Sequence, residues 1–189
     1  MAMQRRHRKK LPMIWLMTDE RVEETALLAA VARLPKGRAG IIFRHYRTIV
    51  SRRRALFDRI AQIARSRRLV LMLGGTAIQA QAWDADGWHG RDRRRAAKPL
   101  LHSRPVHDRR EMVQAAHFSA DFILLSPLFP TRSHPGSPIL GRKGFAALAR
   151  LAPMPVVALG GVRAAHQGML TGIGASGWAA IDGLSLWQL

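Results

Sequence analysis

Eight short apolar runs recur along this chain, and segments with helical spacing separate most of them. Runs of this length that end in turn residues are typical of strands buried on both faces. We predict eight strands, at residues 13–17, 40–44, 69–73, 87–89, 100–106, 122–125, 156–159 and 177–181. Apolar residues three and four positions apart predict amphipathic helices at 23–34, 51–66, 111–118 and 143–151. This alternation predicts an α/β protein with a parallel sheet.

Two architectures fit this alternation, a closed (β/α)8 TIM barrel and an open doubly wound sheet. The average unit is about 24 residues (189 residues in eight units), which is short for a barrel class whose usual total is about 250. We therefore expect a compact barrel whose third and fourth helices are abbreviated and whose last helix is short or missing. Hydrophobic periodicity alone leaves the choice between the two architectures open.

The composition indicates one globular unit. Apolar residues make up 48% of the 189 positions, which is enough for a substantial core. We predict a basic flexible tail at 1–10 and a single barrel domain at 11–189. The chain has no cysteine, which excludes disulfides, thiolate metal sites and a cysteine nucleophile. No apolar run approaches the roughly 20 residues that span a bilayer, so we expect no membrane contact and a cytoplasmic location.

The net charge of +19, from 31 basic and 12 acidic residues, favours an anionic partner. The basic clusters lie in separate segments and lack the interleaved aromatic residues of single-strand binders, so nucleic acid is the disfavoured partner. A phosphorylated small molecule needs only a few of these side chains and is the favoured one. We expect most of the remaining charge on solvated surface. The sequence is compatible with an oligomer.

The segment LLSPLFPTRSHPGSPILG at 124–141 follows a predicted strand that ends at Ser126. Its long loop offers hydroxyl and backbone groups for phosphate oxygens, and a histidine, His134, for proton transfer. The candidate phosphate-binding residues of this loop are Thr131, Ser133 and Gly136. Four prolines explain the same loop as a series of rigid turns without a ligand, and the residues alone leave both interpretations open.

Two further strand ends carry candidate anion-binding groups. In PVVALGGVRAAH, the pair Gly160 and Gly161 frees backbone amides between a buried strand and a helix, although a tight packing turn explains the pair equally well. Arg44 follows the apolar residues 41–43 and ends the predicted strand at 40–44, where an arginine fork suits phosphate or pyrophosphate, while a surface arginine is the alternative. We predict no metal site at His89, because the acid that follows it, Asp92, has ample arginine partners for ion pairing.

Three motifs, ADGWH at 85–89, ADFILLSPLFPTRSHPG at 120–136 and PVVALGG at 155–161, resemble the thiamine phosphate synthase/TenI family in order and separation. The resemblance runs from residue 14 to residue 184 and implies a small closed barrel. It also implies an enzyme of thiamine biosynthesis, a transferase that couples hydroxymethylpyrimidine pyrophosphate with thiazole phosphate. The alternatives are a TenI-like thiazole tautomerase and a catalytically weakened barrel that binds a phosphorylated ligand.

The resemblance assigns roles to the matching residues. It implies that Arg44 contacts the pyrophosphate, and that Gly160 and Gly161 hold phosphate through their amides. Thr131 and Ser133 match the thiazole phosphate region. For the tautomerase alternative, Ser126 stands at the strand-end position that such enzymes use, and His134 is the other candidate catalytic residue.

The sequence departs from the family pattern at several positions. Gly74 and Gly75 replace an Asn-Asp pair whose aspartate helps to hold magnesium, so the Mg²⁺ that the resemblance implies lacks one of its ligands here. Tyr46 replaces a lysine near the pyrophosphate, and Asp182 replaces a serine that helps to bind phosphate. Surplus arginines are the candidates to replace the lost cation.

Overall fold

The computed structural model describes residues 11–92, 96–131, 136, 138–181 and 184, and it forms a closed barrel of parallel strands. Each strand pairs with the next along the chain, and β8 pairs with β1 to close the ring. A closed ring excludes the open doubly wound sheet that the periodicity also allowed. The strands are β1 Ile14–Met17, β2 Ala39–Phe43, β3 Val70–Gly74, β4 Gly87–His89, β5 Leu101–Val106, β6 Phe122–Leu125, β7 Val156–Ala158 and β8 Gly177–Ala180.

The helices cover the outside of the barrel unevenly. The third is a single short helix, as expected, and the connection from β4 to β5 contains no helix within its described residues, 90–92 and 96–100. None of the helices in the described ranges is long and apolar enough to cross a membrane. The helices are α1 Glu24–Arg33, α2 Val50–Arg67, α3 Ala77–Ala82, α4 Arg109–His117, α5 Gly141–Ala149 and α6 Gln167–Gly172, the last preceded by a 3-10 turn at Ala164–His166.

Two apolar layers hold the fold together. The larger layer lies between the strands and the helices, and the buried face of α2 contributes Leu56, Phe57 and Ile60 to it. The smaller layer fills the barrel interior, where the Trp15 ring stacks on Phe122 at a centroid distance of 4.8 Å. These bulky interior side chains make the barrel a packed core rather than a pore.

Two aspartates, each just before a strand, form hydrogen bonds to the backbone of the neighbouring strand. Asp86, just before β4, accepts a hydrogen bond from the Leu71 N–H at 2.8 Å and donates its own N–H to the Leu71 carbonyl. Asp121, just before β6, makes the same pair of bonds with His102 of β5. The matching ADG and ADF motifs therefore fix strand register at the end of the barrel opposite the candidate site.

Candidate functional site

The carboxyl ends of the eight strands meet at one end of the barrel, which we call the mouth. Arg44 lies there, one residue beyond β2, with a half-buried side chain. Its backbone N–H donates to the Thr18 hydroxyl at 2.9 Å, and its Nε donates to the Thr18 carbonyl at 2.9 Å. These two bonds tie the end of β2 to the end of β1 and fix the direction of the guanidinium.

An acidic group beside Arg44 is already paired. The Asp19 carboxylate accepts hydrogen bonds from the Arg21 guanidinium at 2.7 and 2.9 Å, and it lies 3.5 Å from the Arg44 guanidinium. The bond to Arg21 is the main reason why the pKa of Asp19 falls to about 2. Asp19 is therefore an anion at neutral pH that orients two arginines.

A neutral histidine lies inside the barrel below the mouth. His89 is the last residue of β4, is buried, and has its Nδ1 2.9 Å from the Ser103 hydroxyl of β5. Burial is the main cause that lowers the pKa of His89 to about 3, and the positive charge of Arg44 adds to the effect. The imidazole is therefore uncharged at neutral pH, so it offers a hydrogen bond but no counter-charge for phosphate.

Ser126 directly follows β6 and begins the long loop of the mouth. Its N–H donates to the Val106 carbonyl at 3.0 Å, whereas its hydroxyl makes no hydrogen bond to any described residue. The loop then lies against the end of β7, because the N–H groups of Leu128 and Phe129 donate to the carbonyls of Leu159 and Gly160 at 2.9 and 3.0 Å. The β6 and β7 ends thus form one wall of the mouth.

The glycine pair after β7 has a packing role that the structure makes explicit. Gly160 and Gly161 have φ of +91° and +63°, where side chains are strained. A Cβ on Gly160 would lie 2.7 Å from the Pro127 Cα, and one on Gly161 would lie 2.5 Å from the Pro130 carbonyl oxygen. Across the described ranges, neither glycine N–H has a hydrogen-bond acceptor, so both remain available for an anion.

The remaining predicted site residues are placed only in part. Thr131 is half-buried and follows Pro130 in the same loop, and Gly136 is exposed with φ of +76°. Ser133 and His134 lie outside the described residues, as does Asp182. The structure therefore brings Arg44, Ser126 and the glycine pair to the mouth, while their roles, and those of the other predicted residues, stay predictions.

A buried arginine beside the mouth was not predicted. Arg53, in the first turn of α2, is 7% exposed, and its Nη2 donates to the Gly74 carbonyl at 2.6 Å and to the Arg44 carbonyl at 3.2 Å. The sequence shows it as the middle of three arginines, which resembles a surface cluster. Its spacing from Leu56, Phe57 and Ile60 places it on the buried stripe of the helix, and that spacing is the signal that identifies it.

The match to a known family fits this barrel and its mouth. The sequence model of the TMP-TENI family, thiamine monophosphate synthase, matches residues 14–184. The chain belongs to the thiamine monophosphate synthase family. Within that family it is 29% identical to the thiamine-phosphate synthase of Salinibacter ruber over 94% of this chain and 83% of that protein. It is 28% identical to the thiamine-phosphate synthase of Thiobacillus denitrificans over 184 residues, covering 90% and 86%.

Solved structures confirm the barrel of this thiamine monophosphate synthase family member. The thiamine phosphate pyrophosphorylase of Pyrococcus furiosus superposes with a TM-score of 0.77 at 22% identity, over 95% of this chain and 89% of that one. The thiamine phosphate pyrophosphorylase of Bacteroides thetaiotaomicron superposes with a TM-score of 0.64 at 15% identity, covering 92% and 84%. At these identities, the superpositions establish the fold.

The magnesium ion that the family resemblance implies does not fit the described residues of the mouth. Mg²⁺ is usually bound by one or two carboxylates together with substrate phosphates. In the described ranges, no three histidine, aspartate or glutamate side chains converge. Asp19 is already paired with two arginines, and the Glu20 carboxylate accepts hydrogen bonds from the Arg47 N–H and the Thr48 hydroxyl. The end of β3, at Gly74 and Gly75, offers no carboxylate.

Proposed function

We propose that this chain is a thiamine-phosphate synthase that couples hydroxymethylpyrimidine pyrophosphate with thiazole phosphate. The observation that carries the proposal is the family match over residues 14–184, together with a thiamine-phosphate synthase that matches over 83% of its own length. In the reaction, the thiazole nitrogen forms a bond to the methylene carbon of the pyrimidine. The carbon–oxygen bond to the diphosphate breaks, and pyrophosphate leaves with the electron pair of that bond.

The arrangement of the mouth supports a reaction with two phosphorylated substrates. Arg44 follows β2 and the glycine pair follows β7, three strands apart around the ring. A guanidinium on one side suits the diphosphate, on which negative charge accumulates as the bond breaks. The free amides of Gly160 and Gly161 on the other side suit the single phosphate of the thiazole. Two separated anion sites hold the reacting atoms between them.

Product formation tests the proposal directly. The purified chain is incubated with both substrates, in magnesium and in chelator, and thiamine phosphate is measured by mass spectrometry. We expect product above the rate without enzyme, and at least a tenfold loss for Gly161→Asp, which adds both a colliding side chain and a negative charge at the amide site.

The alternatives give different results in the same assay. A tautomerase isomerises a thiazole carboxylate phosphate and yields no thiamine phosphate, and the group that such a reaction would use is the Ser126 hydroxyl, which makes no hydrogen bond to a described residue. A binding protein gives no product with either substrate but is stabilised by phosphorylated ligands. Absence of thiamine phosphate from a folded, ligand-stabilised protein would overturn the synthase proposal.

A further inference from the structure

Arg53 places a buried positive charge in direct contact with neutral groups, and the Glu20 carboxylate attracts it without forming a salt bridge. Its guanidinium contacts the carbonyls of Gly74 and Arg44 and lies 3.4 Å from the Gln79 side-chain oxygen. Its Cζ also lies between 5.2 and 5.9 Å from the ring centroids of Trp83, Phe43 and Tyr46. Throughout the described ranges, no carboxylate forms a salt bridge with Arg53, and its buried Nε has no hydrogen-bond acceptor.

A buried cation that no described carboxylate contacts directly is costly, so it requires an explanation. Arginine remains charged when buried, because its pKa in water lies far above neutrality. The contacts of Arg53 satisfy several of its donors but do not neutralise the charge. Its position between the carboxyl ends of β2 and β3 puts that charge at the edge of the mouth, where an anionic ligand would compensate it.

Side chains on Gly74 and Gly75, at the end of β3, would displace Tyr46 and Gln79 from their observed positions. A Cβ on Gly74 would lie 2.6 Å from the Tyr46 hydroxyl, and one on Gly75 would lie 2.6 Å from the Gln79 side-chain oxygen. Gly75 also has φ of +153°, which side chains rarely adopt. The volume that an asparagine or aspartate would occupy is filled by Tyr46 and Gln79, and Gln79 in turn contacts Arg53.

We propose that this chain neutralises the diphosphate of its substrate with arginine instead of a divalent cation, and that Arg53 is the positioning residue of that arrangement. The inference rests on the proposed function, because it concerns the diphosphate of the same reaction. Arg44 contacts the diphosphate. Arg53 acts through Arg44, since it holds the carbonyl of the residue whose side chain binds, fixes the end of β3, and adds a second charge near the leaving group.

Binding of inorganic pyrophosphate, measured by isothermal titration calorimetry at constant ionic strength, tests the arrangement without requiring turnover. We expect the wild-type chain to bind pyrophosphate in chelator at least as tightly as in magnesium. Magnesium ions in solution bind pyrophosphate and so lower the concentration of the free ligand. Arg53→Gln should weaken binding at least tenfold. Arg54→Gln is the matched control, because it removes the same charge from the next residue, which pairs with Asp58 on the helix surface, and it should change binding less than twofold.

Two further variants separate positioning from folding. Arg53→Lys keeps the charge but cannot bridge two carbonyls as a planar fork, so it should fold and recover only part of the lost affinity. In a double-mutant cycle, the losses of affinity from Arg44→Gln and Arg53→Gln should be less than additive, because part of the effect of Arg53 is exerted through Arg44. A purely structural Arg53 would instead give additive losses and lower thermal stability, with affinity fully restored by lysine.

The outcomes distinguish this inference from the proposed function. Pyrophosphate binding that requires magnesium, or a folded Arg53→Gln variant that binds like Arg54→Gln, overturns the inference. Thiamine phosphate formed in magnesium but not in chelator also overturns it, while the synthase proposal stands. Metal-free pyrophosphate binding that depends on Arg53, without any product from the two substrates, supports the anion site and overturns the synthase proposal.

Discussion

At the scale of single residues, Gly161 offers a matched comparison within the chain. Gly161 and Gly37 have φ of +63° and +69°, but a Cβ on Gly37 meets nothing within 4 Å, whereas one on Gly161 collides with the loop after β6. A left-handed alanine costs about 1–2 kcal/mol at either position. We expect Gly37→Ala to lower the free energy of unfolding by about that amount and Gly161→Ala by at least ~1 kcal/mol more, because of the collision.

Urea denaturation of the two variants checks this comparison, with phosphate binding as the second measurement. Only Gly161→Ala should weaken the binding of inorganic phosphate, since it displaces the amides that we assign to the anion. Equal losses of stability in both variants would mean that the loop moves freely away from the turn. Equal phosphate binding in both would remove the glycine amides from the site.

Three buried histidines among the described residues, His45, His89 and His102, give the protein a specific pH dependence. Burial lowers the pKa of His45. The pKa of His89 falls from its ordinary value of 6.5 to about 3, and that of His102 falls to about 4, in both cases mainly through burial. The unfolded chain therefore binds more protons than the folded chain below pH 6.5. Stability is full above that pH and declines as the pH falls toward 4, by at most ~1.4 kcal/mol per pH unit for each histidine.

Chemical denaturation at several pH values between 7 and 4.5 measures this decline. His89→Gln should flatten the curve, because glutamine does not titrate but keeps a polar group near the Ser103 hydroxyl. His117→Gln on the exposed surface of α4 is the control and should leave the slope unchanged. A slope in His89→Gln equal to that of the wild-type chain would show that other groups cause the acid sensitivity.

At the scale of elements, we expect the aspartates that precede β4 and β6 to stabilise the fold through their hydrogen bonds to the neighbouring strands. Asp121 accepts the His102 N–H at 2.8 Å, so Asp121→Ala should leave that partly buried donor unpaired and cost about 1–3 kcal/mol. Asp121→Asn keeps an acceptor oxygen and should recover more than half of the loss. Asp58→Ala, which breaks an exposed ion pair on α2, should cost less than 1 kcal/mol. Thermal unfolding monitored by circular dichroism compares the three variants.

The strands were predictable because burial on both faces imposes continuous apolar runs, and their observed ends differ from the predicted ones by at most one residue. The helices were predictable where an apolar stripe faces the sheet, as in α2. Periodicity could not establish closure of the ring, because each strand in either architecture is buried in the same way.

In the site, Arg44 was visible as a charged residue at a strand end. Arg53 was hidden among its arginine neighbours, and the contacts that define it come from residues far apart in the sequence.

At the scale of the whole molecule, the net charge of +19 means that anions can stabilise the protein in two ways. They can screen the repulsion between its positive charges, or they can bind at the mouth. Like charges repel one another in the compact state, and salt screens that repulsion. We expect the thermal midpoint to rise by several degrees between about 20 mM and 300 mM sodium chloride. At equal ionic strength, pyrophosphate should raise it further, because a ligand that binds only the folded chain stabilises it by about 2.7 kcal/mol at a concentration 100 times its dissociation constant.

This additional stabilisation should depend on Arg53 and not on Arg54, because both variants lose the same charge but only Arg53 lies at the mouth. Differential scanning fluorimetry of the wild-type chain, Arg53→Gln and Arg54→Gln, in sodium chloride and in pyrophosphate at matched ionic strength, measures it. The response to sodium chloride should be the same in both variants, since screening depends on total charge. If pyrophosphate stabilises Arg53→Gln and Arg54→Gln equally, its effect comes from the basic surface as a whole, and the arginine pair at the mouth is not its binding site.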